Sequence, residues 1–134
     1  MNTDSLGKLF LRLTLGGLML PHGVAKLEKG TSGIAGMLAS AGLPEMLAPL
    51  VLVGELAAPL LLLLGVLTRP AALIVAINMV FAVGLAHASQ LFTLGKTGGW
   101  ALELQGFFFF VALTVAVLGS GKYRPGGEKT TWWA

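Results

Sequence analysis

The stretch Met46–Leu67, MLAPLVLVGELAAPLLLLLGVL, holds a single charged residue, Glu55, in 22 positions. A helix needs about 20 apolar residues to cross roughly 30 Å of hydrocarbon. The stretch shows no apolar–polar alternation of the kind a membrane β-barrel strand requires. It therefore reads as a helix built for lipid. Outward along the chain, about Leu6–Leu27, Pro70–Ala88 and Trp100–Gly119 meet the same length and apolar character, and the four together use most of the 134 residues.

Composition agrees with that reading. The AVILMFWYC set makes up 55% of the chain, with 19 Gly besides, and only 11% is charged. Soluble domains carry roughly 45–50% apolar and 25% charged residues. A small soluble domain leaves too much of its chain exposed to hide such a surplus. These counts exclude a soluble enzyme, a nucleic-acid binder and a disordered tail. The absence of Cys excludes disulfides, thiol redox chemistry, Cys-held iron–sulfur clusters, CxxCH haem attachment and a lipoprotein anchor.

The expected fold is all-α: a transmembrane four-helix up-down bundle forming one membrane domain over residues 1–134. The links are short. Thr68-Arg69-Pro70 reads as a tight turn with Pro70 at the first position of the third helix, and Gln90–Gly99 as a loop. Residues 31–42 read as a short interfacial helix capped by Thr31 or Ser32, with Ile34, Met37, Leu38 and Ala41 on one face. The first span is long and carries Arg12, so it reads as an uncleaved span and not a signal peptide. Lys8, Arg69, Lys122, Arg124 and Lys129 fall on the side of the termini; Lys26, Lys29 and Lys96 fall on the other. Five against three places both termini in the cytoplasm, and the net charge of +3 is then explained by topology and lipid contact. Trp132-Trp133 either rests at the inner interface or ends a loose tail.

The informative residues are those a bilayer should reject. Arg12, Lys26, Glu55 and Glu103 lie in or at the margins of spans, with His22, Asn78, His87 and Gln105. A central charge costs about 2.5–3.5 kcal/mol on insertion scales, so two cations and two carboxylates should pair inside the bundle. Arg12, Met19, His22 and Lys26 fall on one helical stripe, and Arg12 is placed within reach of Glu55. Pro59 deprives the Glu55 carbonyl of its helix partner, and Pro21 does the same to Gly17. Both are expected to break their helices beside a cavity. His22 and Lys26 can donate hydrogen bonds to a quinone carbonyl or an oxyanion, and a buried Glu55 suits proton exchange or ion pairing. Against these stand plainer readings: an interfacial imidazole, a snorkelling lysine, a structural ion pair, and a Glu103 held by its helix dipole. A haem or metal held by His22 and His87 lacks supporting spacing, so no haem, iron–sulfur cluster or metal is expected. Arg69 reads as a topology and headgroup anchor.

Several segments carry a resemblance: LFLRLTLGGLMLPHGVAKL, then GLP followed by GELAAPLLLLLGVLTRPAAL, the AH of the third helix, and GGWALEL. In this combination and order the chain resembles the DoxX family of small four-helix bacterial membrane proteins, over about Leu6–Gly119. The resemblance implies a place in the bacterial inner membrane. It implies that Arg12, His22, Lys26, Glu55, Arg69, His87 and Glu103 stand at family motif positions. It also implies kinship with the membrane subunit of a thiosulfate:quinone oxidoreductase, which acts with partner subunits.

The expected function is that of a subunit or accessory in quinone-linked electron transfer or redox defence. A polar pocket in the outer half of the bundle, made by His22, Lys26, Glu55, His87, Glu103 and Arg12, would bind a quinone-like or small anionic ligand. Electrons would come from a redox partner subunit or a soluble reductant. The alternatives are a non-catalytic membrane anchor or assembly factor, and a small proton-coupled transporter acting as a homo-oligomer.

Overall fold

The computed structural model describes residues 2–127 and 131–134; Lys129, counted above for orientation, lies outside the described residues. The chain is all-helical. Its helices are α1 (Thr3–Lys29), α2 (Ser32–Ser40), α3 (Glu45–Leu64), α4 (Thr68–Gln90) and α5 (Glu103–Leu118), and no strand forms among the described residues. Two of them, α3 with 20 residues and α4 with 23, are long and apolar enough to cross a membrane. α5 is apolar but has 16 residues. α1 has the length, 27 residues, but Lys8, Arg12 and Lys26 interrupt its apolar run.

Local chemistry sets the helix ends. The Asn2 side chain accepts a hydrogen bond from Ser5 N at 3.0 Å and caps α1; Gly30, at φ 79°, stops it. α3 ends at Leu64, because Gly65 adopts a left-handed φ of 75° and Val66 N donates back to Leu61 O at 3.0 Å. α4 then begins at Thr68, two residues before Pro70, whose missing N–H falls in the first turn where no partner is needed. α5 starts at Glu103 and not at Trp100. The loop before it folds back on itself, with Trp100 Nε1 donating to Leu91 O at 2.7 Å and Ala101 N to Thr93 O at 3.0 Å.

Two expectations about helix breaks are corrected. α1 continues unbroken through Pro21. α3 also continues past Pro59, but it loosens into a π-turn over Val53–Ala57, just ahead of the proline. A second π-turn, Val83–His87, loosens α4. Such turns insert an extra residue per turn and cluster at functional sites.

α1 packs along α3, and α4 along α5. Both pairs are antiparallel, because Arg12 near the start of α1 meets the end of α3, and Arg69 at the start of α4 meets the end of α5. The core joins Leu15 and Met19 of α1, Ala58 and Leu62 of α3, Val75 and Met79 of α4, and Phe108 and Val115 of α5. Gly16 lets α1 approach α3: a β-carbon there would sit 2.8 Å from the Pro59 carbonyl oxygen. The outer surface is apolar, with Phe10, Ile77, Val80, Phe107, Phe110 and Val117 all exposed. That is the pattern of a protein whose solvent is lipid.

α2 uses only part of the expected face. Ile34 and Leu38 are buried against Ala48, Val51 and Leu85, but Met37 and Ala41 are exposed. Thr31 stands at the N-cap position without a side-chain capping bond. The chain end is tied down and is not a loose tail: Arg69 N donates to Trp133 O at 3.1 Å, and Ser120 N to Ala134 O at 2.9 Å.

Candidate functional site

The site grows from one buried carboxylate. Glu55 stands in the π-turn of α3, is 2% exposed, and could not be left there alone, since an unpaired buried charge is costly. Lys26, in the last turn of α1, meets it: Nζ lies 2.5 Å from Glu55 Oε1. Asn78 of α4 donates from Nδ2 to the same oxygen at 3.0 Å. Three helices thus converge on one atom. Glu55 Oε2 is buried and has no hydrogen-bond partner among the described residues.

Glycines permit this convergence. A β-carbon on Gly23 would overlap the Glu55 carbonyl oxygen, the one freed by Pro59. A β-carbon on Gly54 would lie 2.8 Å from Asn78 Cβ and Cγ. The backbone of α1 therefore sits directly on the loosened turn of α3, and Asn78 fits against Gly54.

Glu55 and Lys26 form part of the wall of a cavity of about 170 Å³. Met19, Met79 and Phe108 supply apolar walls, and His22, His87 and Gln105 add polar groups. The His22 ring packs edge-on against Phe108, with centroids 5.8 Å apart. His87 Nδ1 lies 3.2 Å from Gln90 Oε1, which orients that imidazole. Among the described residues, no group of three or more His, Cys, Asp or Glu side chains is placed to hold a metal ion.

Four of the six expected site residues, His22, Lys26, Glu55 and His87, line this one cavity. The other two do not. Arg12 is buried but far from Glu55. Its Nη1 donates to Leu62 O at 3.0 Å and Leu63 O at 3.1 Å, and its Nη2 to Tyr123 O. The reason is length along α1: 14 residues separate Arg12 from Lys26, or about 21 Å. Arg12 instead serves the carbonyls left open at the C-terminal end of α3. Glu103 is exposed and packs against Gly99. Because α5 starts only at Glu103, the face turned to the cavity carries Leu104, Gln105 and Phe108.

The chain matches the family model described as DoxX over residues 7–88. The match covers more than half of the 134 residues. The chain belongs to the DoxX family. The family and the apolar helices make it a membrane protein. The DoxX match includes Arg12, His22, Lys26, Glu55, Arg69 and His87, and stops short of α5, Glu103 and Gln105. No curated protein and no solved structure matches the chain.

Proposed function

We propose that this DoxX family protein crosses the bacterial inner membrane four times as an up-down bundle with both termini in the cytoplasm, and serves as a subunit of quinone-linked electron transfer. The polar cavity at Glu55 binds the ring of a quinone-like molecule. The observation that carries the reading is the Glu55 carboxylate: buried, held through one oxygen by Lys26 and Asn78, and unpartnered at the other. A quinone is a lipid-phase substrate that needs an apolar slot, hydrogen-bond donors for its carbonyls and a proton supply. Met19, Met79 and Phe108 offer the slot, and His22 and Lys26 offer the donors. A cavity of about 150 Å³ holds a benzene ring in another protein, so about 170 Å³ suits one ring, its chain leaving toward lipid. Reducing a quinone to the quinol takes two electrons and two protons. The electrons are assigned to a redox partner subunit or a soluble reductant, and the protons pass through Glu55.

Orientation rests on the basic residues. Lys8, Arg69, Lys122 and Arg124 gather around one cavity near the termini, which is where cytoplasmic loops concentrate positive charge.

The test is to purify the protein in mild detergent, extract its lipid-soluble material and analyse it by mass spectrometry. Quinone should co-purify with the parent and vanish with Glu55→Gln and His22→Ala while helicity is kept. A parent without quinone, together with loss of folding in both variants, overturns the reading. It would favour the second one, in which Lys26, Glu55 and Asn78 pin three helices of a membrane anchor or assembly factor. That reading draws on the same hydrogen bonds, which join α1, α3 and α4.

A further inference from the structure

A second polar cavity lies at the other end of α1. Its wall includes Lys8, 18 residues from Lys26 and so about 27 Å away along the helix. The volume is about 370 Å³. Four cationic residues line it from three parts of the chain: Lys8 of α1, Arg69 of α4, and Lys122 and Arg124 of the segment after α5. Among the described residues no acidic side chain lines it; Asp4, 69% exposed and outside the lining, pairs with Lys8 at 2.7 Å. Two buried polar atoms of the lining have no hydrogen-bond partner among the described residues: Arg69 Nε and Thr131 Oγ1. The Arg69 guanidinium is held in place, its Nη1 donating to Ala116 O at 3.2 Å and Val117 O at 2.9 Å. The chain end closes the cavity beside it, through Arg69 N and Trp133 O.

A cavity lined by basic side chains favours an anion that can take charge-assisted hydrogen bonds from several of them at once. A fixed guanidinium, a hydroxyl without a hydrogen-bond partner among the described residues, and the Lys8 and Lys122 ammonium groups form a donor set that suits tetrahedral phosphate. We propose that this cavity binds a phosphate-bearing anion, either the headgroup of an anionic phospholipid or a soluble phosphate ester. The site shares no residue with the Glu55 cavity and does not depend on the quinone reading.

The experiment is native mass spectrometry of the delipidated, detergent-purified full chain. It is titrated separately with phosphatidylglycerol, phosphatidylcholine and glycerol 3-phosphate. Each cation near a phosphate is worth about fivefold in affinity, so the double variant Lys8→Gln, Lys122→Gln should bind phosphatidylglycerol or glycerol 3-phosphate about 30-fold more weakly. Lys8→Arg with Lys122→Arg should restore binding, and Lys96→Gln should leave it unchanged. Tighter binding of phosphatidylglycerol than of glycerol 3-phosphate identifies the membrane as the source; the reverse identifies a soluble ester. Equal binding of phosphatidylglycerol and phosphatidylcholine without any binding of glycerol 3-phosphate overturns the proposal. So does parent-like affinity in the double variant at parent-like helicity. If the double variant does not fold, Lys122→Gln alone carries the test, with about fivefold weaker binding expected.

Discussion

Gly23 rests directly on the carbonyl of Glu55, so that any side chain at Gly23 would occupy the space of that oxygen. The contact joins two consequences of sequence. Pro59 leaves the Glu55 carbonyl without its helical N–H, and a residue without a β-carbon lets α1 approach close enough to cover it. The close approach in turn brings Lys26, three residues further along α1, within 2.5 Å of the Glu55 carboxylate.

The first prediction concerns that contact. Gly23→Ala should destabilise the protein by about 1–3 kcal/mol, as overpacking of a close interface does. Here the opposing oxygen, that of Glu55, belongs to the backbone and has little room to yield. Gly17→Ala is the control, since a β-carbon at Gly17 meets nothing within 4 Å. It should be neutral or slightly stabilising, because Ala is favoured over Gly in a helix. Thermal unfolding in detergent, followed by circular dichroism, separates the two; equal melting temperatures would sink the argument.

Removing one partner of the Glu55 pair should cost more than removing both. Breaking a buried pair leaves a lone charge and costs about 3–5 kcal/mol, whereas an apolar replacement of both partners is often close to neutral. Lys26 is 35% exposed, which places Lys26→Met toward the lower end of that range. Lys26→Met with Glu55→Gln should recover most of the loss, because a neutral amide at position 55 no longer needs a cation. A double-mutant cycle on chemical denaturation checks this, and additive losses would show that the two side chains do not act as a pair.

Much of this architecture is legible in the sequence, and the misses have physical causes. Met46–Leu67 announces its helix because a long apolar run with one charge has few other uses. Lys26 and Glu55 stand out by the same scarcity. Asn78 did not join the expected site, although it completes the network, because an amide in an apolar helix carries no charge that demands a partner. Gly23 and Gly54 are just as silent; a glycine reveals a close approach only when the neighbouring helix is known. Arg12 meets backbone carbonyls and not the Glu55 carboxylate. Hydropathy fixes which residues share a helix, but not which open carbonyls lie within a guanidinium's reach.

That corrected position yields the third prediction. The Arg12 guanidinium serves the carbonyls of Leu62, Leu63 and Tyr123 at once, and Gly65 makes room for it: a β-carbon there would lie 2.6 Å from Nη1. A lysine is a single compact ammonium and cannot span three acceptors in the same fork. Arg12→Lys should therefore cost about 1–3 kcal/mol through the unsatisfied carbonyls. It should also loosen the segment after α5, which is held at Tyr123. Hydrogen exchange should rise at Gly121–Arg124 and at the end of α3 while α5 stays protected. Unchanged exchange at Gly121–Arg124 would show that the arginine does not hold the segment.

The last prediction separates the two carboxylates that look alike in the sequence. Glu103 is exposed beside Gly99, whereas Glu55 is buried on the cavity wall and Gln105 lines that wall from α5. If the cavity binds a quinone ring, Glu103→Gln should leave the amount of co-purified quinone at the parent level. Gln105→Ala should lower it several-fold, and Glu55→Gln should abolish it. The order follows from placement alone, because a side chain that faces away from the cavity has no differential contact with its occupant. Extraction and mass spectrometry of the three variants, each checked for parent-like helicity, give the measurement. A Glu103→Gln protein that loses its quinone while Gln105→Ala keeps it would mean that the ligand lies on the outer face of α5, and would remove Glu55 from its role.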